Sequence, residues 1–242
     1  MSNSSDKVPL RPEQGEAIRV ASLGGDLLTN PADVRAAFGN PRRVSDRGPT
    51  ASPTEQARPP EETRLIHEGT AANQAGNFKE AEQTFKKLLA FQEKEYGKQS
   101  PEVALTYARL GSTAENDHRW ADAQKYFKQQ AETAKVAYKD NGPENLMVAG
   151  ATAGIARMDA RQGHLEDAAK NYREAIRMFE NAKPATLPDP ALTGVIRTYR
   201  DYAHLLAVQG DYAASDAAFV KADVLTEILK ARGGGERKNN DA

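Results

Sequence analysis

The side chains that could bind a metal ion or transfer a proton are scattered along this sequence. Its four histidines are His67, His118, His164 and His204. No two of them stand four residues apart, which is the spacing that places two metal ligands on one face of a helix. The chain contains no cysteine, so it has no thiolate metal site, no disulfide and no cysteine nucleophile. We therefore predict a protein that is not an enzyme and that uses no metal ion or cofactor.

Composition limits the classes of partner. The chain has 242 residues, of which 39% are hydrophobic and 28% are charged, and its formal net charge is −1. This near-neutral balance provides no general attraction to nucleic acid. The sequence has no run of about 18 apolar residues, so we expect no membrane-spanning segment. Residues 1–7 have no apolar core, unlike a signal peptide. The prediction is a cytoplasmic protein; the alternative is a processed periplasmic or membrane-anchored lipoprotein.

One residue pattern occurs four times in the sequence, and it predicts the helices of the fold. Each copy begins at a turn residue, and the four turn residues are Gly76, His118, Gly163 and Gly210. Their spacings are 42, 45 and 47 residues, which is typical of stacked helical repeats. A glycine or a polar residue suits the tight backbone between two antiparallel helices.

The residues around each turn follow a packing code. Two positions after the turn residue comes a large side chain that fills the gap between two helices: Phe78, Trp120, Leu165 or Tyr212. Three positions later comes a small residue, where two helices cross closely: Ala81, Ala123, Ala168 or Ser215. A second aromatic residue follows four positions on, on the same helical face: Phe85, Phe127, Tyr172 or Phe219. Seven positions before the turn stands another small residue: Gly69, Gly111, Ala156 or Ala203.

This code resembles the tetratricopeptide repeat, and the connections resemble the kinesin-light-chain subtype. In the first connection, Ser100 can cap a helix and Pro101 suits its first position. The resemblance implies an all-α, right-handed solenoid of four helix-turn-helix repeats. We place these repeats at about 62–98, 101–141, 143–183 and 190–231. The first repeat departs from the pattern because Glu68 stands where a large apolar residue is expected.

The two ends of the chain differ from the repeats. Residues 1–60 contain eight of the 13 prolines, so we predict a largely flexible segment there. Within it, Asn30 can cap a short helix at 31–38, Pro31 fits its first turn and Gly39 can stop it. Val34 and Phe38 would then lie one turn apart. At the other end, we predict a disordered tail at 232–242.

The resemblance also implies that the first helix of each repeat lines a concave groove. The residues of that groove predicted to bind a partner are Asn73, Arg109, Asn116, Arg157, Arg161, Arg197, Arg200 and His204. Five of these are arginines, whose forked guanidinium groups bind carboxylates and phosphates. The alternative is that the arginines pair within the protein, with Glu115, Glu144, Asp159 and Asp201.

These features predict a non-catalytic scaffold that binds a segment of a protein partner in the groove. The arginines favour an acidic partner. The alternatives are a cell-envelope assembly factor or carrier of a hydrophobic ligand, and self-association into a homo-oligomer. An enclosed apolar cavity would favour the carrier, whereas an open groove favours the scaffold.

Overall fold

A computed structural model describes residues 59–139 and 146–239, with side chains up to residue 232. These residues form eight α-helices. Their bounds are α1 Pro60–Gln74, α2 Phe78–Tyr96, α3 Pro101–Asn116, α4 Trp120–Ala137, α5 Leu146–Arg161, α6 Leu165–Asn181, α7 Asp189–Val208 and α8 Tyr212–Asn239. Consecutive helices form four antiparallel pairs. We call the first helix of each pair the A helix and the second the B helix.

The four predicted turn residues all adopt the left-handed backbone conformation. The φ angles are 77° at Gly76, 83° at Gly163 and 84° at Gly210. At His118 the φ angle is 58°, a region that residues with a side chain seldom occupy. The second repeat therefore makes the same turn without a glycine, and the His118 ring lies edge-on to Trp120 with 5.0 Å between the ring centroids.

The connections between repeats are also specified locally. The Ser100 hydroxyl accepts a hydrogen bond from the amide of Val103 at 3.3 Å, and Pro101 opens α3, as predicted. The third connection contains a short 3-10 helix at Pro184–Thr186. Lys183 precedes it with a φ angle of 55°, and this left-handed residue ends α6.

Small residues lie where the A and B helices of each pair cross. Ala81, Ala123 and Ala168 are fully buried, and Ser215 is nearly so. The Ser215 hydroxyl donates a hydrogen bond to the carbonyl oxygen of Ala203 on α7. This bond satisfies the one polar side chain at these four positions.

Aromatic rings of the B helices pack directly against glycines of the A helices. A Cβ atom added to Gly69 would lie 2.5 Å from the Phe85 ring, and one added to Gly111 would lie 2.7 Å from the Phe127 ring. Gly154, on the A helix of the next repeat, approaches the same Phe127 ring at 2.8 Å. The Phe127 ring thus packs between two glycine backbones and joins two repeats.

The pairs stack in sequence, which confirms the all-α repeat fold. The A helix α5 contacts both α3 and α7, in addition to the B helices beside it. The A helices α3, α5 and α7 therefore form a continuous layer. The second aromatic residue is buried in the first three repeats. Phe219 in the fourth is only partly buried, because the part of the chain that the structure describes places no further repeat over it.

The ends of the described region differ in part from the boundaries expected from the sequence. Helix α8 continues to Asn239, past residue 231, where we expected the fourth repeat to end. Arg232 anchors this part of the helix by donating hydrogen bonds to the carbonyl oxygens of Ala185 and Leu187 and to the carboxylate of Asp189. The predicted segment at 1–58, including the helix at 31–38, lies outside the described residues.

Candidate functional site

A cluster of four charged side chains joins three A helices. Glu115 lies on α3, Arg157 on α5, and Arg197 and Asp201 on α7. Glu115 accepts hydrogen bonds from Arg157 at 3.0 and 3.1 Å, and from Arg197 at 2.9 Å. Asp201 lies further away, with its Oδ2 atom 3.9 Å from Arg157 and 3.7 Å from Arg197. The cluster is electrically neutral, and we call the face of α3, α5 and α7 that carries it the inner face.

Burial makes the pairing within this cluster strong. The side chains of Glu115 and Arg157 are each only 14% exposed. Burial alone would raise the pKa of Glu115, but the positive charges of Arg157 and Arg197 lower it to about 2. Burial likewise opposes protonation of Arg157, yet its pairing with Glu115 raises its pKa above the ordinary value. Glu115 is therefore ionised at neutral pH and holds both arginines in place.

Asp201 is the least satisfied member of the cluster. Its Oδ2 atom is buried and accepts no hydrogen bond from the described part of the chain. Burial raises the pKa of Asp201, although Arg157 and Arg197 oppose this increase. A buried oxygen without a hydrogen-bond donor costs free energy. A donor from a bound partner would therefore stabilise the Oδ2 atom of Asp201.

The structure gives the other predicted groove cations different surroundings. Arg161 is exposed, and its guanidinium lies 5.6 Å from the centroid of the Trp120 ring. Arg200 points to the last B helix, where it lies 3.5 Å from Asp223 and donates a hydrogen bond to Thr226. His204 packs edge-on against Phe219. Arg200 and His204 thus contact α8 rather than the charged cluster.

The remaining predicted groove residues lie toward the start of the chain. Asn73 on α1 is half-buried, and its side-chain oxygen has no hydrogen-bond partner among the described residues. Arg109 and Asn116 lie on α3 and are also half-buried. These three residues belong to the first two repeats, whereas the charged cluster spans the second to the fourth.

The structure shows internal pairing where the sequence favoured an open row of arginines. Arg157 and Arg197 both donate hydrogen bonds to Glu115, and Asp201 adds a nearby negative charge beyond hydrogen-bond distance. Asp159, another carboxylate considered as a partner, accepts hydrogen bonds from Gln124 and Asn171 instead. Glu144 lies outside the described residues. The structure thus shows the internal pairing given as the alternative for Arg157 and Arg197, and it places Arg200 against α8. That the groove arginines bind a partner stays a prediction.

Sequence reasoning missed two glycines on the inner face. Gly150 precedes Arg157 by seven residues, and Gly194 precedes Asp201 by seven, which places each pair on one helical face. A Cβ atom added to either glycine would meet nothing within 4 Å. Glycine destabilises a helix interior by about 1 kcal/mol relative to alanine, and packing inside the chain does not require it here. Helical glycines outside the repeat code were the signal that could have revealed them.

Neither a metal site nor a membrane span is found in the part of the chain that the structure describes. Its His, Asp and Glu residues form no group of three or more that could hold a metal ion. None of the described helices combines the length and the apolar character that crossing a bilayer requires.

Comparisons with known proteins agree with the helical architecture. A family model described as tetratricopeptide repeat matches residues 64–135. The structure is similar to that of BtubC (BKLC) from P. vanneervenii, with a TM-score of 0.58 and 13% identity, over 73% of this chain and 68% of that one. It is also similar, with a TM-score of 0.48 and 15% identity, to a putative kinesin light chain from Podosopora anserina with nearly identical TPR-like repeats, over 72% of this chain and 96% of that one. At 13% identity, the likeness to the first of these structures shows the fold alone. No curated protein matches this sequence.

Proposed function

We propose that this chain, whose helix pairs are tetratricopeptide repeats, is a non-catalytic scaffold that binds a segment of a partner protein along the inner face of α3, α5 and α7. Repeats of this kind generally mediate protein–protein interaction. Stacked helices present an extended, preformed surface, so a partner segment binds without a large ordering cost on the scaffold's side.

The open space over Gly150 and Gly194 is the observation that carries the proposal. Each glycine weakens its helix, and neither is needed to fit a neighbour among the residues that the structure describes. Both lie on the face that also carries the charged cluster. A glycine on a helix surface lets another backbone approach closely, so the two positions are suited to contact with a bound segment.

The charged cluster determines which side chains on the inner face could pair with a partner. Glu115 neutralises Arg157 and Arg197 at close range, which leaves them poorly suited to capture a separate acidic group. Arg161 is exposed and lies one turn beyond Arg157 on the same helix. We propose that an acidic side chain of the partner pairs with Arg161, and that a hydrogen-bond donor of the partner reaches Asp201.

Partner capture by a groove-filling variant tests this proposal. In Gly150→Gln/Gly194→Gln, two side chains enter the space over the inner face from positions where an added Cβ atom meets nothing within 4 Å. Because glutamine favours helix more than glycine does, we expect the melting temperature to be equal or higher. We expect capture of the wild-type partners to be lost.

A matched control variant distinguishes an effect at the inner face from a general effect of adding glutamine to the surface. Lys128→Gln/Lys170→Gln introduces the same side chain at two exposed positions of the B helices α4 and α6. We expect this variant to capture the same partners as the wild type. Equal capture by the groove-filling variant and the wild type would contradict the proposal, as would loss of capture by both variants.

The structure gives no reason to prefer the hydrophobic-ligand carrier. That role needs an enclosed apolar cavity. An apolar depression on α8, between Val220, Val224 and Ile228, is open to solvent rather than enclosed.

A further inference from the structure

The last B helix carries an apolar stripe on its solvent-facing side. Val220 is 63% exposed and Val224 is 53% exposed. Ile228 and Ala231 follow at intervals of four and three residues, so all four lie on one helical face. They line a shallow depression of about 610 Å³ together with Asp223 and Glu227. We call these four residues the α8 stripe.

The repeat fold does not require apolar residues at these positions. Counting from the small residue at each helix crossing, the residues equivalent to Val220 are Lys86, Lys128 and Arg173. The residues equivalent to Val224 are Ala90, Glu132 and Arg177. The other three B helices thus present mostly charged side chains where α8 presents valines. The stripe is a specific feature of α8, and its exposure costs free energy unless something covers it.

The stripe is not the surface on which a further repeat would pack. In the first three B helices, the next repeat covers the positions eight and eleven residues after the small residue. Those positions hold Leu89, Gln92, Ala131, Ala134, Ile176 and Phe179. In α8 they hold Asp223 and Thr226, both of which contact Arg200. A polar surface therefore ends the stack, as expected for a terminal repeat, and the stripe lies beside it.

The size of the stripe argues against a second copy of the chain as its occupant. Four side chains spread over three turns of helix are far fewer than the 20–30 residues, or about 800 Å² per partner, of a stable interface. A short tethered segment needs much less area, because its effective concentration reaches about the millimolar range.

The charges beside the stripe favour a basic segment. Asp216, Asp223 and Glu227 are exposed along one edge of it. Asp223 and Glu227 form exposed pairs with Arg200 and Lys230, and such pairs are weak enough for an incoming arginine to compete with them. The N-terminal part of this chain offers a complementary sequence, in which Val34 and Phe38 are spaced as one helical turn and are followed by Arg42 and Arg43.

The chain between this segment and the first helix is long enough to reach α8. Fifteen residues separate Arg43 from Pro59, and they can span about 50 Å when extended. Five packed contacts link α1 to α8, through α2, α3, α5 and α7. At about 9 Å for each contact, the two helices are at most about 45 Å apart.

We propose that residues 31–43 dock on the α8 stripe of the same chain, with Val34 and Phe38 against Val220 and Val224. Arg42 and Arg43 then lie near the acidic edge. The proposal concerns the outer side of the last helix and is independent of partner binding on the inner face.

Paramagnetic labelling of the full chain tests this contact. Because the chain has no cysteine, Ala36→Cys provides a single attachment site for a nitroxide. We expect the amide signals of residues 217–231 to broaden and those of α4 to remain sharp. The same label on Ser4→Cys is the control for random encounters and should leave α8 unbroadened.

Two further variants test each side of the contact. Val220→Lys/Val224→Lys places on α8 the kind of residue that other B helices carry there, so the fold should persist. Val34→Ser/Phe38→Ser leaves every repeat unchanged. Each should abolish the broadening of α8 by the label at residue 36.

Three results would overturn the proposal. The first is α8 broadening no greater with the label at residue 36 than at residue 4. The second is broadening that survives both double variants. The third is broadening of an isotope-labelled chain by a separate nitroxide-labelled chain in a mixed sample, which would place the contact between two molecules.

Discussion

Glu115 and Arg197 are 82 residues apart in the chain, yet Glu115 Oε1 lies 2.9 Å from Arg197 Nη2. The two residues belong to α3 and α7, the A helices of the second and fourth repeats. Arg157 of the intervening repeat binds the same carboxylate. Contacts in a solenoid are mostly between neighbouring repeats, so this one carboxylate couples three repeats that would otherwise interact in sequence.

Replacing Glu115 should destabilise the protein strongly. Glu115→Gln leaves Arg157 and Arg197 close together without the carboxylate that pairs with both. Removing one partner of a buried ion pair costs about 3–5 kcal/mol, and we expect a loss in this range in the free energy of unfolding measured with urea. The control is Glu68→Gln, which removes an exposed pair with Arg64 and should cost less than about 1 kcal/mol. Similar losses for the two variants would show that the cluster contributes little.

The same carboxylate should make stability depend on acid pH. Its pKa falls from 4.5 to about 2 on folding, so the folded state binds the proton less readily than the unfolded state does. The contribution of Glu115 is therefore fully present above about pH 4.5 and is lost as the pH falls toward 2, by about 3 kcal/mol in all. Urea unfolding across this range should show a steeper loss for the wild type than for Glu115→Gln. Parallel curves would contradict the low pKa.

Enlarging the small residue at a helix crossing should also destabilise the fold. Ala123 is 0% exposed where α4 crosses α3, and Ala123→Leu should cost about 1–3 kcal/mol by overpacking. Ala121→Leu, two residues earlier in the same helix and exposed, is the matched control and should leave the melting temperature nearly unchanged. A melting temperature for Ala123→Leu equal to that of the control would place the crossing elsewhere.

Two glycines of α5 should respond in opposite directions to the same substitution. In Gly154→Ala, the new methyl group would lie 2.8 Å from the Phe127 ring. That ring cannot retreat, because Gly111 packs against it as well. In Gly150→Ala, the methyl group meets nothing within 4 Å, so the helix should gain about 0.5–1 kcal/mol. Thermal unfolding of the two variants compares them directly, and a higher melting temperature for Gly154→Ala than for the wild type would refute the packing described for Phe127.

The sequence was sufficient to predict the helix pairs, the turns and the small residues at the crossings. These features depend on local backbone chemistry and on a spacing that recurs four times. His118 shows that the repeat context predicts a turn even where the glycine is missing. Glycine and aromatic positions such as Gly111 and Phe127 were predictable for the same reason.

The pairing of charges on the inner face could not be predicted in the same way. Helical spacing places Arg157, Arg197 and Arg200 on their helices, but it does not determine which carboxylate of another helix each one reaches. That choice depends on how closely the A helices approach and on side-chain direction. Thus Arg200 points to Asp223 of α8. Arg157 and Arg197 donate hydrogen bonds to Glu115 and not to an open groove.

Site-specific photo-crosslinking tests the central claim that partners bind on the inner face. A photoreactive amino acid replaces Gly150 in one variant, Gly194 in a second and Lys128, on the B helix α4, in a third. An added Cβ atom meets nothing within 4 Å at the first two positions, and Lys128 is exposed, so we expect all three variants to fold. We predict the same crosslinked partner from positions 150 and 194 and none from position 128. Crosslinking of that partner only from position 128, or equally from all three positions, would contradict the account.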